Sequence, residues 1–234
     1  MLQVRASNER GQVDLGWLQS QHSFSFGHYY DQKHMGFGPL RVINDDWIAG
    51  GEGFDTHGHK DMEIITYVLS GNLAHKDSMG NGSTLRYGDV QRMSAGTGVQ
   101  HSEFNHSRSE QLHLLQIWIM PKFRSIKPGY EEKHFDAAAK RGKLLLVASG
   151  DGRDGSVAMN QDASLYATIL QGEEAVSHEL ASGRIAYVHV ATGALEVNGV
   201  KLVEGDALKV TDESAITLSH AGNGAEVLLF DLPQ

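Results

Sequence analysis

The chain of 234 residues has no cysteine, only four prolines and no long apolar run. Without cysteine it can form neither disulfides nor thiolate metal sites. No stretch approaches the roughly 18 apolar residues of a membrane span, and residues 1–20 lack the apolar segment of a secretory signal. We therefore expect no membrane association and a cytoplasmic location.

Positive charge is also scarce: the chain has 20 Lys and Arg residues and 29 Asp and Glu residues, which gives a formal net charge of −9. No run of basic residues is longer than two, so we expect no direct binding of nucleic acid. The acidic surface permits a protein partner without indicating one. The Gly-rich run SAGTGV lacks the lysine of a phosphate-binding loop, and no nucleophile beside a base suggests a hydrolase.

Glycine is abundant, with 27 residues spread along the chain. This distribution is typical of short strands joined by tight turns and predicts an all-β fold. A polar segment at 121–142 separates two series of strand-like runs and predicts a short helix around 130–141. We expect a first domain at 1–128, a linker at 129–142 and a second domain at 143–234. Strands are predicted at 40–45, 62–71, 83–88, 111–120, 143–149, 164–170, 184–193 and 225–232.

An internal repeat links the two series. Residues 71–89 and 193–206 share Gly-x-Leu followed by Asn-Gly-x5-Gly-Asp, and an Asn-Gly pair between strands favours a type I′ hairpin turn. Two related β domains are the expected result, each with this hairpin and the turn that follows it.

Two pairs of metal-type residues carry the strongest functional signal: His57 with His59, and His101 with Glu103. Residues i and i+2 of a strand point to the same face, so each pair can direct two donors at one spot. Three imidazoles and a carboxylate suit a first-row transition metal and leave positions open for chemistry on an octahedral ion. The other histidines, including His75 and His113, lack such pairing and are expected in the core or on the surface.

The repeat also places this set in one half of the chain. The second-half positions that correspond to the two pairs hold a carboxylate, two apolar residues and one histidine, which is not a comparable donor set. We therefore expect the first domain to carry the metal and the second to lack the ligands. The corresponding positions are Glu179, Ala181, Leu218 and His220.

The spacing of these residues resembles the two cupin motifs, and longer segments resemble bacterial members of the pirin family over nearly the whole chain. The cupin-like spacing is Gly51-x5-His57-x-His59-x3-Glu63-x7-Gly71, followed by Gly98-x2-His101-x3-Asn105. The pirin-like segments include HSFSFGHYYD, MGFGPLRVINDD, THGHKDMEIITYVLSG, MSAGTGVQHSEFN and LHLLQIWIMP.

The resemblance implies a bicupin: two stacked antiparallel jelly-roll β-barrels with few short helices and one mononuclear divalent metal in the first barrel. General cupins take the carboxylate ligand from the first motif, here Glu63, whereas pirins take it from the second, here Glu103. The spacing and the resemblance favour Glu103. Glu63 is then either a residue that orients a histidine or one on an outer strand face. The implied ligands are His57, His59, His101 and Glu103.

The resemblance also implies quercetin 2,3-dioxygenase activity, in which O2 opens the heterocyclic ring of a flavonol and CO is released. The small aromatic substrate would bind the metal through its 3-oxygen, and Glu103 would be the catalytic base. Iron is the favoured metal, with Ni, Co, Cu, Mn and Zn as alternatives, and no cofactor beyond the metal is implied. One alternative is a non-catalytic iron-bearing regulator that acts through protein partners, as in eukaryotic pirins. Another is a cupin of a different reaction type, such as an isomerase.

Two further expectations concern the pocket around the metal. A flat substrate needs an apolar slot with few polar contacts. The aromatic segment between His22 and Phe37 could cover such a slot, although any one aromatic side chain in a β-rich domain is more often part of the core. Gln116, in an otherwise apolar strand, could supply a polar contact inside the barrel.

Overall fold

The computed structural model describes all residues from 1 to 234 and consists almost entirely of antiparallel strands. The all-β class is therefore confirmed, and each predicted strand segment overlaps a strand. The only α-helix is α1 (Ala137–Lys140), with short 3-10 turns at Ser7–Glu9 and Arg153–Gly155. No helix has the length and apolar character needed to cross a bilayer.

The strands are β1 Leu2–Arg5, β2 Gly11–Asp14, β3 Leu18–His22, β4 Leu40–Ile48, β5 Gly53–His59, β6 Glu63–Ser70, β7 Asn72–Asp77, β8 Gly82–Arg86, β9 Asp89–Ser94, β10 Val99–Asn105 and β11 Leu112–Ile119. They continue with β12 Gly129–His134, β13 Leu145–Ser149, β14 Val157–Ala158, β15 Ser164–Gly172, β16 Val176–Glu179, β17 Arg184–Val197, β18 Val200–Val203, β19 Ala207–Val210, β20 Ala215–Ser219 and β21 Gly222–Pro233.

The chain forms two compact units, and each contains a short segment from elsewhere in the sequence. The first unit comprises 11–134 with 157–161, and the second comprises 1–10, 135–156 and 162–234. Residues 1–10 belong to the second unit because β1 pairs with β19. The division into domains at 1–128 and 143–234 stays a prediction, although the predicted linker contains β12, which pairs with β9, as well as α1.

The first unit has a seven-stranded sheet in the order β12-β9-β6-β11-β4-β3-β2 and a four-stranded sheet in the order β5-β10-β7-β8. Apolar side chains close one part of its interior, where Leu73 and Leu85 pack with Ile48 and Leu112. Along β10, by contrast, the buried positions include His101, Glu103 and Asn105. Since alternate residues of a strand share a face, this pattern places polar groups inside the unit.

The second unit has an apolar interior. Its sheet contains β19, β17, β21, β15 and β13 as successive neighbours, and one cluster of buried Leu, Ile and Val side chains draws on β15 and β17–β21. Leu218 belongs to that cluster, while His220 is exposed beside Glu173. The positions that correspond to the two metal-type pairs are therefore not gathered into a donor set.

The repeated hairpin differs between the two units. In the second unit Asn198 and Gly199 have φ values of 48° and 78°, as a type I′ turn requires. In the first unit the turn lies at 78–81, ahead of Gly82, so a type I′ turn at Asn81-Gly82 was a wrong prediction. The Asp77 carboxylate determines this longer turn because it accepts the backbone N–H groups of Met79 and Asn81.

Candidate metal centre

The side chains of His57, His59 and His101 converge at one point between β5 and β10. These strands pair antiparallel, with His101 opposite His57 and Val99 opposite His59. The Nε2 atom of His101 lies 2.9 Å from that of His59 and 3.1 Å from that of His57. Two metal–nitrogen bonds of about 2.1 Å at a right angle would separate the nitrogens by about 3.0 Å. The spacing therefore fits adjacent ligands of one octahedral ion.

The protonation of the three rings also fits a metal. His57 Nδ1 donates to the Asp55 carbonyl oxygen at 2.7 Å, so the proton lies on Nδ1 and Nε2 presents a lone pair. Burial, followed by the charge of His57, lowers the pKa of His59 to about 4 and that of His101 to about 3. Neutral rings with unprotonated Nε2 atoms are the form that binds a transition metal.

Glu103 lies on the inner face of β10 beside His101, after an irregularity in the strand register between the two residues. Its carboxylate accepts hydrogen bonds from Gln116 Nε2 at 2.8 Å and from Thr66 Oγ1 at 3.4 Å. Burial raises the pKa of Glu103 to about 7 despite these hydrogen bonds. Gln116 thus provides the polar contact inside the barrel that its position in an apolar strand suggested.

The metal-type donors form two overlapping groups that share His101. One consists of His57, His59 and His101, and the other of His75, His101 and Glu103, with the donor atoms of each group within 4.8 Å of one another. His75, expected in the core or on the surface, is buried, and it belongs to the second of these groups. His75 and Asp77 follow the same i, i+2 spacing on β7 as the other pairs do, so the signal was present in the sequence.

Glu63 has neither of the positions expected for it. It is buried, and its Oε2 accepts hydrogen bonds from Ser94 Oγ at 2.8 Å and from the Asn160 backbone N–H at 3.0 Å. No histidine is among these partners. Glu63 instead ties residues 157–161 to the first unit.

A cavity of about 550 Å³ opens beside the histidines. From the aromatic segment at 22–37 only Phe26 lines it, whereas Phe24 is buried in the core and Tyr30 is exposed. Sequence reasoning missed the other aromatic walls, which come from separate parts of the chain. The aromatic lining residues are Trp17, Phe26, Phe54 and Trp118, and the polar ones include Asn44, Asp46 and Asp55.

Gly53 allows β5 to approach β10 closely at the site. A Cβ atom at Gly53 would lie 2.2 Å from the Glu103 carbonyl oxygen and 2.5 Å from the Phe104 Cα atom. We expect Gly53→Ala to lower the free energy of unfolding by about 1–3 kcal/mol, as overpacking does, and to weaken metal binding. Gly58→Ala on the same strand is the control, because its nearest neighbour is 3.8 Å away. Equal unfolding midpoints and metal affinities for the two variants would contradict the prediction.

Comparison with known proteins agrees with this geometry. The family model described as "Pirin" matches residues 3–119, and the model described as "Quercetinase C-terminal cupin domain" matches residues 146–232. The chain is 52% identical over 233 residues to a protein named quercetin 2,3-dioxygenase of Escherichia coli (strain K12), covering 100% of this chain and 99% of that protein. A pirin-like protein of Caulobacter vibrioides is 40% identical over 232 residues, covering 99% of each.

A solved structure shows the same fold with a metal bound. The crystal structure of the bacterial pirin YhhW from Escherichia coli, in complex with nickel(II), has a TM-score of 0.94 and 49% identity, and the match covers 100% of this chain and 99% of that one. The bicupin class is therefore confirmed, and a metal site in this architecture is established for a similar protein.

Proposed function

Because the chain belongs to the pirin family, we propose that it is a metal-dependent quercetin 2,3-dioxygenase, an oxidoreductase that opens the heterocyclic ring of flavonols with O2 and releases CO. His57, His59, His101 and Glu103 would hold one divalent ion, with iron as the native metal. The nickel complex of the Escherichia coli relative supports a mononuclear site and makes nickel the first alternative.

One observation carries this proposal: the Nε2 atoms of His57 and His59 lie 3.1 Å and 2.9 Å from that of His101, beside an aromatic cavity that also contains a buried carboxylate. A metal ion fits between these Nε2 atoms, because a neutral imidazole binds metal through its unprotonated ring nitrogen. The cavity volume of about 550 Å³ lies within the usual range of small-molecule sites. Aromatic walls with polar side chains between them suit a flat polyphenol, which has apolar ring faces and hydroxyl groups at its edge.

The residues around the cavity would have different roles in the reaction. When bound, the metal would supply a Lewis acid for the substrate 3-oxygen. Glu103, which Gln116 and Thr66 hold by hydrogen bonds, would accept the proton of the 3-hydroxyl. Trp118 packs edge-on against both His59 and Phe26, with ring centroids 4.9 Å and 5.2 Å away. It would hold the flavonol rings against the site and restrict the entry of water.

The proposal is tested by reconstituting metal-free protein with iron, nickel, cobalt, copper, manganese or zinc. Quercetin absorbance, O2 uptake and CO release are then followed in parallel. Metal-dependent loss of quercetin with matching O2 consumption and CO formation is the expected result. A protein that binds metal stoichiometrically but leaves quercetin and O2 unchanged with every metal would overturn the dioxygenase reading and favour a non-catalytic metal-bearing regulator.

Phe26 should contribute to substrate affinity more than to the chemical step. It lines the cavity, and its ring packs edge-on against that of Trp118. Loss of its ring removes apolar contact area, so we expect Phe26→Ala to raise the KM for quercetin roughly 5- to 30-fold, with kcat within about 2-fold of wild type. Tyr30→Ala is the matched control, because Tyr30 is an exposed aromatic of the same segment. An unchanged KM in Phe26→Ala would exclude this wall from the substrate site.

A further inference from the structure

The pair His75 and Asp77 lies directly behind the candidate metal centre. Both side chains are fully inaccessible to solvent, and His75 Nε2 lies 3.3 Å from Asp77 Oδ2. On the neighbouring strand β10, Glu103 is opposite His75 and His101 is opposite Asp77. Two residues without an assigned role therefore face two proposed ligands across one strand pair.

The Asp77 carboxylate is held in one orientation by its own turn. Its Oδ1 accepts the backbone N–H groups of Met79 at 2.9 Å and Asn81 at 3.0 Å. Its Oδ2 accepts the Asn81 side-chain amide at 2.8 Å and faces His75. Because an ionised carboxylate only accepts hydrogen bonds, the His75 proton must lie on Nε2, which leaves Nδ1 with a lone pair.

His101 has the complementary requirement. Its Nε2 faces the Nε2 atoms of His57 and His59, so when it binds a metal ion through Nε2 its proton must lie on Nδ1. Both His101 Nδ1 and His75 Nδ1 are buried and have no hydrogen-bond partner among the protein groups. The two ring centroids are 5.5 Å apart, a separation that a single bridging water can span.

We propose that His75 and Asp77 are positioning residues that hold His101 in the tautomer and orientation needed to bind metal, with His75 Nδ1 accepting the His101 Nδ1 proton through one bridging water. This inference rests on the metal site of the proposed function. It adds to that site two residues that do not bind the metal themselves. Hydrogen bonds from such residues to a ligating histidine determine its tautomer and raise its affinity for metal.

Asp77→Asn tests the pair with little change in shape. Since two backbone N–H groups face the Oδ1 position, the new amide would keep its oxygen there and turn its NH2 toward His75. His75 would then carry its proton on Nδ1, so that it could no longer accept the hydrogen bond that His101 Nδ1 donates through the bridging water. We expect Asp77→Asn to lower nickel and iron affinity about 10- to 100-fold in chelator competition.

The chain offers a matched control in a second buried pair. His113 Nε2 lies 2.7 Å from Asp45 Oδ1, and the His113 ring stacks on Trp47 at 4.1 Å. Neither His113 nor Asp45 belongs to the two donor groups or lines the cavity beside them. Asp45→Asn should therefore change the unfolding midpoint without changing metal affinity.

Two His75 variants distinguish positioning from simple packing. Asparagine places an amide oxygen near the former Nδ1 position, so His75→Asn should keep metal affinity within about 3-fold of wild type, whereas His75→Leu should lose about 10- to 100-fold. X-ray absorption of the nickel-loaded proteins should show weaker imidazole scattering for His75→Leu. Unfolding of each metal-free variant reports its folding separately.

The outcomes separate this inference from the proposed activity, because metal affinity is measured without quercetin. Wild-type affinity in both Asp77→Asn and His75→Leu would overturn the positioning pair. Equal losses in Asp77→Asn and Asp45→Asn, or in His75→Asn and His75→Leu, would also overturn it. If Asp77→Asn does not fold, the two His75 variants decide. A protein that loses metal as expected but never cleaves quercetin would keep the inference and refute only the activity.

Discussion

His101→Ala is expected to lower metal affinity by roughly 1000-fold or more and to abolish quercetin turnover. His101 is the one residue shared by both donor groups, and its Nε2 approaches the Nε2 atoms of His57 and His59 within 3.1 Å. Removing an outer residue of a metal site costs about 10- to 100-fold, so loss of a central ligand should cost more. Chelator competition and metal analysis of the purified variant measure the effect.

The control for this variant is His106→Ala, which makes the same substitution just after β10 at an exposed position. It should bind metal and turn over quercetin as wild type does. Because His101 is buried, unfolding of the metal-free variant must be recorded alongside. A folded His101→Ala protein that retains stoichiometric, tightly bound metal would show that the ion binds elsewhere.

Glu103→Gln should give the second large effect, on turnover more than on structure. The amide has the shape of the carboxylate and can keep the hydrogen bond from Gln116, but it cannot accept a proton. A general base typically contributes about 100- to 10,000-fold, so we expect kcat to fall by that factor in protein saturated with metal. Single-turnover loss of quercetin absorbance under air measures the step directly.

Glu63→Gln is the matched control, since Glu63 is another buried strand carboxylate of the first unit whose pKa burial raises. Its partners are Ser94 and Asn160 and not the donor groups, so it should change stability without changing kcat. If metal-saturated Glu103→Gln turned over quercetin at the wild-type rate, Glu103 would be at most a ligand and another group would be the base.

Much of the site could be predicted from local sequence because a strand repeats every two residues. That period indicated that His57 and His59 share a face, as do His101 and Glu103, and the structure brings the three histidines together. The same rule applies to His75 and Asp77. One histidine with an aspartate is nevertheless a weaker signal than two histidines, and the neighbours of this pair on β10 follow only from strand pairing.

The aromatic pocket shows why local patterns are insufficient. Trp17 precedes β3, Phe54 lies on β5 and Trp118 lies on β11, and they meet only because distant strands curve around one cavity. No spacing in the sequence relates these positions. The sequence favoured the aromatic segment at 22–37 as the cover of the substrate slot, yet of its residues only Phe26 lines the cavity.

The sequence by itself determined the all-β class, the pirin resemblance and the two donor pairs, since these depend on residue type and on a two-residue period. Only the tertiary structure decided that His75 joins His101 and Glu103, that Glu63 holds residues 157–161, and that residues 1–10 complete the second unit. Those outcomes depend on which strands pair and in what register. Pairing is determined by the burial of the whole sheet, which a local pattern does not specify.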